Sequence, residues 1–374
     1  MNKKKIYYLI SNILSLSVKP DRVQEVIESL PHKKENWQKL VLLGSKNLVL
    51  QSLFLSFKNN HILSNLPADL AEYLEYVHQL NFERNNSIIK QANALQAVFS
   101  KESIDCVFMK GTGNIFDGLY YDIGERMVYD MDILVEEGKM LQAAEALKSN
   151  GYRTQKKFNP LAYPSTMHYP ILVKEDCVAG VEIHKLPVQY HYLKAFNAER
   201  VFETKKPSSM EKGFMVMSDS NKIIHNFIHS QLMHNAHYQA DVSLRDLYDM
   251  LLLSQRADVF KVFNEFKFFQ NKSNAYIRLM HKVFGLPFPQ NGGKSFKHTF
   301  FFMRHNLTLT MSRKQLSAYH FVINSLIKYA ILPIRTLFDK NARNYVFSRL
   351  KNRHWYSDHL NAYRRKLSGN RTID

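Results

Sequence analysis

The chain contains 374 residues, a length that suits about two to three domains. Hydrophobic residues make up 45% and charged residues 22%, proportions that exclude a disordered chain, a collagen-like repeat and a coiled-coil rod. Because 51 lysines and arginines face 33 aspartates and glutamates, the net charge is +18 and we expect an anionic partner.

The location of the protein is predicted from its cysteines and its apolar runs. The chain has two cysteines, Cys106 and Cys177, which are too few for a disulfide framework. We therefore predict that the protein is cytoplasmic, and a peripheral position on a membrane stays open. The basic N-terminus, residues 3–5, precedes an apolar run that polar residues interrupt, so we interpret it as the start of an amphipathic helix. No stretch reaches 18 consecutive apolar residues, and we expect no transmembrane segment.

The spacing of apolar residues predicts a helical domain over residues 1–100. From residue 21 onward these residues recur every three or four positions, and the last helix of the domain covers residues 81–100. The pattern then changes to short β-rich runs at 104–109 and 132–135, a helix over 138–151 and a hairpin formed by 169–173 and 178–184. Residues 101–205 are therefore predicted to form an α+β core.

The third predicted region, residues 206–374, is a helical domain with a basic tail. Ser218 is a candidate cap for one helix, and residues 244–253 form another. From residue 294 onward the sequence has 16 lysines and arginines against 3 acidic residues, with aromatic residues between them. That mixture suits a nucleic-acid backbone, an anionic membrane surface or the packed faces of ordinary helices, and the three interpretations stay open.

The sharpest local signal is a pair of carboxylates at the start of an apolar strand. Asp130 and Asp132 share one face of a strand, and two like charges so close favour a bound cation such as Mg²⁺. Glu182 and His184 share a face in another strand-like run. If the two strands are neighbours, three carboxylates converge in a site suited to metal-dependent displacement at phosphorus.

Lys110 and Gly111 follow the first strand, where a turn can present backbone N–H groups to phosphate oxygens. The turn does not match the P-loop pattern. Arg126 is a candidate phosphate clamp, or a brace of its loop against Asp122 or Glu125.

The histidines of the C-terminal region form a second cluster. His225 and His229 lie at helical spacing and can ligate zinc, but Asn226 stands where a zinc protease has glutamate. Helical histidine pairs are more often hydrogen-bonded structural residues, and a substrate or base lying against this helix is favoured over zinc. Serine or cysteine nucleophiles are disfavoured because the chain lacks a Gly-x-Ser-x-Gly elbow.

Taken in order, these motifs resemble the uncharacterised nucleotidyltransferase family of the polymerase-beta-like nucleotidyltransferase superfamily. The resemblance covers about residues 85–190 and extends more weakly to a helix with Arg245 and Asp249. The motifs that carry it are Lys110-Gly111, Tyr120 and Arg126, Asp130-x-Asp132, Gly151-Tyr152 and Glu182-x-His184.

The resemblance implies a small mixed-sheet nucleotidyltransferase core flanked by the two helical domains. Mg²⁺ or Mn²⁺ would be bound by the catalytic residues Asp130, Asp132 and Glu182. Lys110, Gly111, Thr112 and Arg126 would bind the nucleotide, and His184, His229, Arg245 and Asp249 are candidate substrate contacts.

The predicted function is transfer of a nucleoside monophosphate from an NTP donor to a hydroxyl of a small molecule, protein or RNA. Two alternatives stay open. One is a toxin-like enzyme that adds nucleotides to tRNA and holds it with the basic tail. The other is a non-catalytic module that binds nucleic acid or an anionic membrane surface.

Overall fold

The chain folds as an α+β protein in a computed structural model that describes residues 1–154, 166–288 and 295–351. Helices come first, a seven-stranded mixed sheet with its own helices follows, and further helices occupy the described residues after it. The α+β class predicted from the sequence is confirmed.

The N-terminal helices are built around the predicted amphipathic patterns. Asn2 caps the first helix by accepting a hydrogen bond from the Lys5 amide, and the buried face of that helix includes Ile6, Ile10 and Leu14. The last helix is 34 residues long and continues past the predicted start at residue 81 toward the N-terminus. The bounds are α1 Lys3–Ser15, α2 Val23–Ser29, α3 Lys34–Lys46, α4 Leu50–Asn59 and α5 Ala68–Lys101.

The sheet has the strand order β3-β4-β5-β2-β1-β7-β6, with β2 parallel to β5 and β1 parallel to β7. The remaining pairs are antiparallel, and β4 with β5 forms the predicted hairpin. The strands are β1 Cys106–Phe108, β2 Asp130–Val135, β3 Arg153–Thr154, β4 Leu172–Val173, β5 Gly180–His184, β6 Lys206–Pro207 and β7 Met215–Val216. Helices α6 Lys110–Phe116, α7 Met140–Ser149 and α8 Ala198–Glu203 lie between strands along the chain.

From Asp219 onward the described residues form helices and the segments that connect them. Ser218 caps α9, and the helix predicted over residues 244–253 has those bounds in the structure. π-helical turns at Ile228–Met233 and Ile327–Ile331 extend two of the helices. The bounds are α9 Asp219–Phe227, α10 Ala236–Gln239, α11 Leu244–Leu253, α12 Val259–Phe266, α13 Gln270–Val283, α14 Phe296–Thr310, α15 Arg313–Leu326, α16 Leu332–Phe338 and α17 Lys340–Leu350.

The buried core continues across residues 100 and 205. One cluster of buried apolar residues extends from Ile6 to Leu309, and the sheet takes two strands from beyond residue 205. The N- and C-terminal helices also pack together, because the ring of Tyr7 lies 5.4 Å from that of His305. The N-terminal helices are thus joined to both of the other regions.

The connection from β1 into α6 depends on a glycine. A Cβ atom at Gly113 would lie 2.4 Å from the carbonyl oxygen of Phe108, a contact that no side chain tolerates. Gly113 therefore lets α6 turn back closely over the end of β1. This close turn places Lys110, the first residue of α6, beside the middle of the sheet.

One continuous helix among the described residues, Arg313–Phe338, is long and apolar enough to cross a membrane by length and composition. Its most apolar stretch is not buried against the protein. The absence of a transmembrane segment was predicted because polar residues such as Asn324, Lys328 and Arg335 interrupt this apolar stretch. The aromatic and basic residues of the tail after residue 351 lie outside the described part of the chain.

Candidate active site

The two strands that carry the predicted carboxylates are neighbours in the sheet. Strands β2 and β5 pair in parallel, with Asp130 opposite Gly180 and Asp132 opposite Glu182. Residues paired in this way point to the same face, and so does His184 two positions further on. The convergence expected from the sequence is therefore present in the fold.

The tightest group in the site consists of Asp132, Glu182 and His184, whose potential ligand atoms all lie within 4.8 Å of one another. Nε2 of His184 is 2.9 Å from Oδ1 of Asp132 and 3.3 Å from Oε2 of Glu182. The imidazole thus holds both carboxylates. Its Nδ1 atom is buried and has no hydrogen-bond partner among the described residues.

Lys110, the first residue of α6 after β1, completes the group. It adopts a left-handed backbone conformation with φ +50°, and its Nζ lies 2.5 Å from Oδ1 of Asp132. Burial would raise the pKa of Asp132, but the charge of Lys110 and the hydrogen bond from His184 hold that pKa well below its ordinary value. Asp132 is therefore ionised at neutral pH.

The pKa values of Asp130 and Glu182 are shifted in opposite directions within this site. Burial and the neighbouring charges of Glu182 and Asp132 raise the pKa of Asp130. Burial also raises the pKa of Glu182, but the hydrogen bond from His184 and the charge of His168 bring it below its ordinary value. A divalent cation would relieve the repulsion that raises the pKa of Asp130.

The donor set fits a hard divalent cation such as Mg²⁺ or Mn²⁺. Asp130, Asp132 and Glu182 offer carboxylate oxygens from one face of the sheet, and these are the ligands that such cations prefer. The closest group of potential ligand atoms contains His184 rather than Asp130, so the histidine lies nearer to the two central carboxylates than predicted.

The side chains of Arg126 and Asp249 pair with each other rather than with the carboxylates of Asp130, Asp132 and Glu182. The guanidinium contacts the Asp249 carboxylate through Nε at 3.0 Å and Nη2 at 2.9 Å, and both side chains are buried. The hydroxyl of Tyr120 donates to the same carboxylate at 2.9 Å. Arg126 thus braces its loop, as one of the two interpretations held, but against Asp249 instead of Asp122 or Glu125.

The other predicted contacts are distributed around the site. The Thr112 hydroxyl donates to the Met109 carbonyl, and Gly111 packs against Val128. Arg245 pairs with its neighbour Asp246 at 3.4 Å. His229 lies in the π-helical turn Ile228–Met233, where burial and the charge of Lys110 lower its pKa.

Helix α5 contributes residues that the sequence did not single out. Arg84 donates to the carbonyls of Val128, Tyr129 and Val178, and so ties the chain leading into β2 to the chain leading into β5. Gln91 binds both the amide and the carbonyl of Ala179, directly before β5. The sequence offered a signal for these two contacts, because both residues are polar and lie within the predicted helix that leads into the α+β core.

Two further residues shape the site without having been predicted. The ring of His168 lies 5.0 Å from that of His184, and a β-bridge joins their backbones. A Cβ atom at Gly180 would lie 2.9 Å from Oδ1 of Asp130 and closer still to Ile171, so glycine is required there. The position of His168 directly before the predicted hairpin was a usable signal.

Carboxylates on neighbouring strands of a small mixed sheet, with a lysine at an adjacent helix start, define a phosphoryl-transfer type of site. The sequence model of the uncharacterised nucleotidyltransferase family matches residues 33–264. The chain belongs to this family, and its class is that of the nucleotidyltransferases. No protein with a curated description matches the chain.

A buried glutamate beside the Arg126 brace gives the protein a testable pH response. Burial raises the pKa of Glu125 to about 7, although hydrogen bonds from Tyr248 and the Tyr121 amide oppose the rise. The folded state therefore holds a proton that the unfolded state releases above about pH 4.3. Stability from this group falls as pH rises toward 7 and is then constant.

The variant Glu125→Gln, which carries no titrating proton, isolates this effect. Between pH 5 and 8 the free energy of unfolding of the wild type is expected to fall relative to the variant by roughly 3 kcal/mol. Urea unfolding of both proteins at several pH values measures the difference. Parallel curves for the two proteins would show that Glu125 has an ordinary pKa.

Proposed function

We propose that this site transfers a nucleoside monophosphate from an NTP to an acceptor hydroxyl in a divalent-metal-dependent reaction. The observation that carries the proposal is the close group formed by Asp132, Glu182 and His184, with Lys110 in contact with Asp132. Membership of a nucleotidyltransferase family supports the reaction class. The polymerase-beta-like form of the core is part of the same proposal.

Asp130, Asp132 and Glu182 would hold the cation. When bound, Mg²⁺ or Mn²⁺ supplies positive charge that neutralises the triphosphate and orients its α-phosphate. Lys110 adds a further positive charge at the same place. His184 keeps the carboxylates of Asp132 and Glu182 in position through its two contacts.

Glu182 is the residue proposed to handle the acceptor. Its lowered pKa keeps the carboxylate ionised, so it can orient an acceptor hydroxyl and accept its proton. The hydroxyl oxygen then forms a bond to the α-phosphorus, the bond between that phosphorus and the bridging oxygen breaks, and pyrophosphate leaves with the electron pair.

The nucleotide donor is tested directly by binding. We expect at least one of ATP, GTP, CTP and UTP to bind in the presence of Mg²⁺ or Mn²⁺ and to bind much more weakly in EDTA. Isothermal titration calorimetry on the wild type and on Asp130→Ala measures this, and the variant is expected to lose the metal-dependent part. Metal-independent binding, or no binding of any nucleotide, would contradict the proposal.

The acceptor is sought once the donor is known. The α-³²P-labelled donor is incubated with the protein and with candidate hydroxyl acceptors of the three classes: a sugar, a protein and tRNA. Transfer of label to one class names the acceptor. A tRNA acceptor would also give salt-dependent binding of tRNA to the protein without any nucleotide present.

A further inference from the structure

The helix formed by α15, the π-helical turn and α16, residues 313–338, exposes its apolar side rather than burying it. Leu316 is the buried residue of α15, and α16 has none. Leu326, Ile334 and Leu337 are 52%, 60% and 68% exposed, which is unusual for large apolar side chains in a folded protein. We call the outward side, Val322, Leu326, Ile334, Leu337 and Phe338, the apolar face.

The apolar face runs along most of the length of the helix. Val322 and Leu326 are four residues apart, as are Ile334 and Phe338, and the π-helical turn between the two pairs takes up one extra residue. The two pairs therefore stay on the same side of the helix. At about 1.5 Å per residue the helix is about 39 Å long.

Three polar residues of the helix point toward the protein. Asn324 accepts a hydrogen bond from Gln239 at 2.9 Å, and Nε2 of His320 lies 3.3 Å from Oδ2 of Asp241. Arg335 donates to the His191 carbonyl at 3.1 Å. Polar contacts thus attach the helix to the body, which inverts the usual orientation of an amphipathic surface helix.

The charged residues at the two ends of the apolar face are mainly basic, and Asp339, directly after Phe338, pairs with Arg335. No aspartate or glutamate occurs between Glu265 and Asp339 in the sequence. Arg313 and Lys314 are exposed at the beginning of the helix, and Lys340 and Arg343 are exposed directly beyond its end. An apolar strip with basic residues at both ends is complementary to acyl chains beneath anionic headgroups.

We propose that the apolar face lies on the surface of an anionic phospholipid bilayer and anchors the enzyme there as a peripheral membrane protein. The helix lies in the interface rather than crossing the bilayer, because Asn324, His320 and Arg335 are held by the protein body. A span would expose these polar groups and Lys328 to hydrocarbon at a high cost. This proposal does not depend on the reaction catalysed at the sheet.

Vesicle flotation of the full chain tests the proposal. The wild type is expected to float with vesicles of phosphatidylcholine containing phosphatidylglycerol, to float far less with pure phosphatidylcholine, and to lose binding at high salt. The triple variant Leu326→Gln, Ile334→Gln, Leu337→Gln is expected to bind at least about tenfold more weakly. Its changes are all at exposed positions, so circular dichroism should show an unchanged fold.

A matched control substitutes apolar residues of similar exposure on the N-terminal helices. Leu42, Tyr76 and Leu80 are 72%, 60% and 48% exposed, and their triple replacement by Gln is expected to leave flotation unchanged. Asp132→Asn is also expected to float like the wild type, which separates this proposal from the proposed function.

Several outcomes would overturn the proposal. They are absence of wild-type flotation, equal loss in the two triple variants, or equal binding to neutral vesicles. A wild-type dimer in solution that only the first triple variant dissociates, without vesicle binding, would assign the face to a second copy. Retention of the protein in membranes after alkaline carbonate extraction would show a span, and tRNA binding without vesicle binding would assign the basic residues to RNA.

Discussion

Asp132→Asn is expected to lower the metal-dependent affinity for the donor NTP by at least ~100-fold, because it removes one carboxylate charge from the centre of the site. The asparagine keeps the volume of the side chain and an oxygen that can accept from Lys110, so the fold should persist. Calorimetric titration with nucleotide and Mg²⁺ measures the affinity, and thermal denaturation checks the fold.

Glu136→Gln is the matched control for this variant. Glu136 directly follows the far end of β2 and is exposed, so its neutralisation removes the same charge from the same strand without touching the site. Its nucleotide affinity is expected to equal that of the wild type. A similar loss in both variants would show that the general charge of the region, rather than the Asp132 carboxylate, governs binding.

Asp249→Ala is expected to cost about 3–5 kcal/mol of stability, since it leaves the buried Arg126 guanidinium without its counter-charge. The hydroxyl of Tyr120 loses its acceptor in the same variant. Chemical denaturation measures the loss as a shift in the midpoint at an unchanged slope.

Asp246→Ala on the same helix provides the comparison. The Asp246 carboxylate pairs with Arg245 at 3.4 Å, and both side chains are more accessible to water than the Arg126 pair. Its removal is expected to cost less than about 1 kcal/mol. Equal losses in the two variants would contradict a structural role for the Arg126 pair.

Local pattern was sufficient to predict the elements that surround the site. The apolar run after Asp132 predicted β2, and the spacing of leucines predicted the helix Leu244–Leu253. The shared face of Asp130 and Asp132 needed only the period of a strand. These predictions succeed because each depends on residues that are close together in the chain.

Partners far apart in the sequence could not be predicted in the same way. Arg126 and Asp249 are 123 positions apart, and nothing local to either residue specifies the other. Strands β6 and β7 have two residues each, too few to show a period. The outward direction of the apolar face depends on which side of the helix the body holds, which is a tertiary property.

The two-way contact of Gln91 with Ala179 has a consequence for how reliably the site assembles. A slip of one residue between two strands exchanges the faces of every side chain, so a register error in β5 would send Glu182 and His184 away from Asp132. Gln91 binds both backbone groups of Ala179, directly before β5, and so fixes the position of the chain that enters this strand. Helix α5 thus favours the correct register of β5. A chain that folded with β5 in a shifted register would form the sheet without bringing Glu182 and His184 beside Asp132.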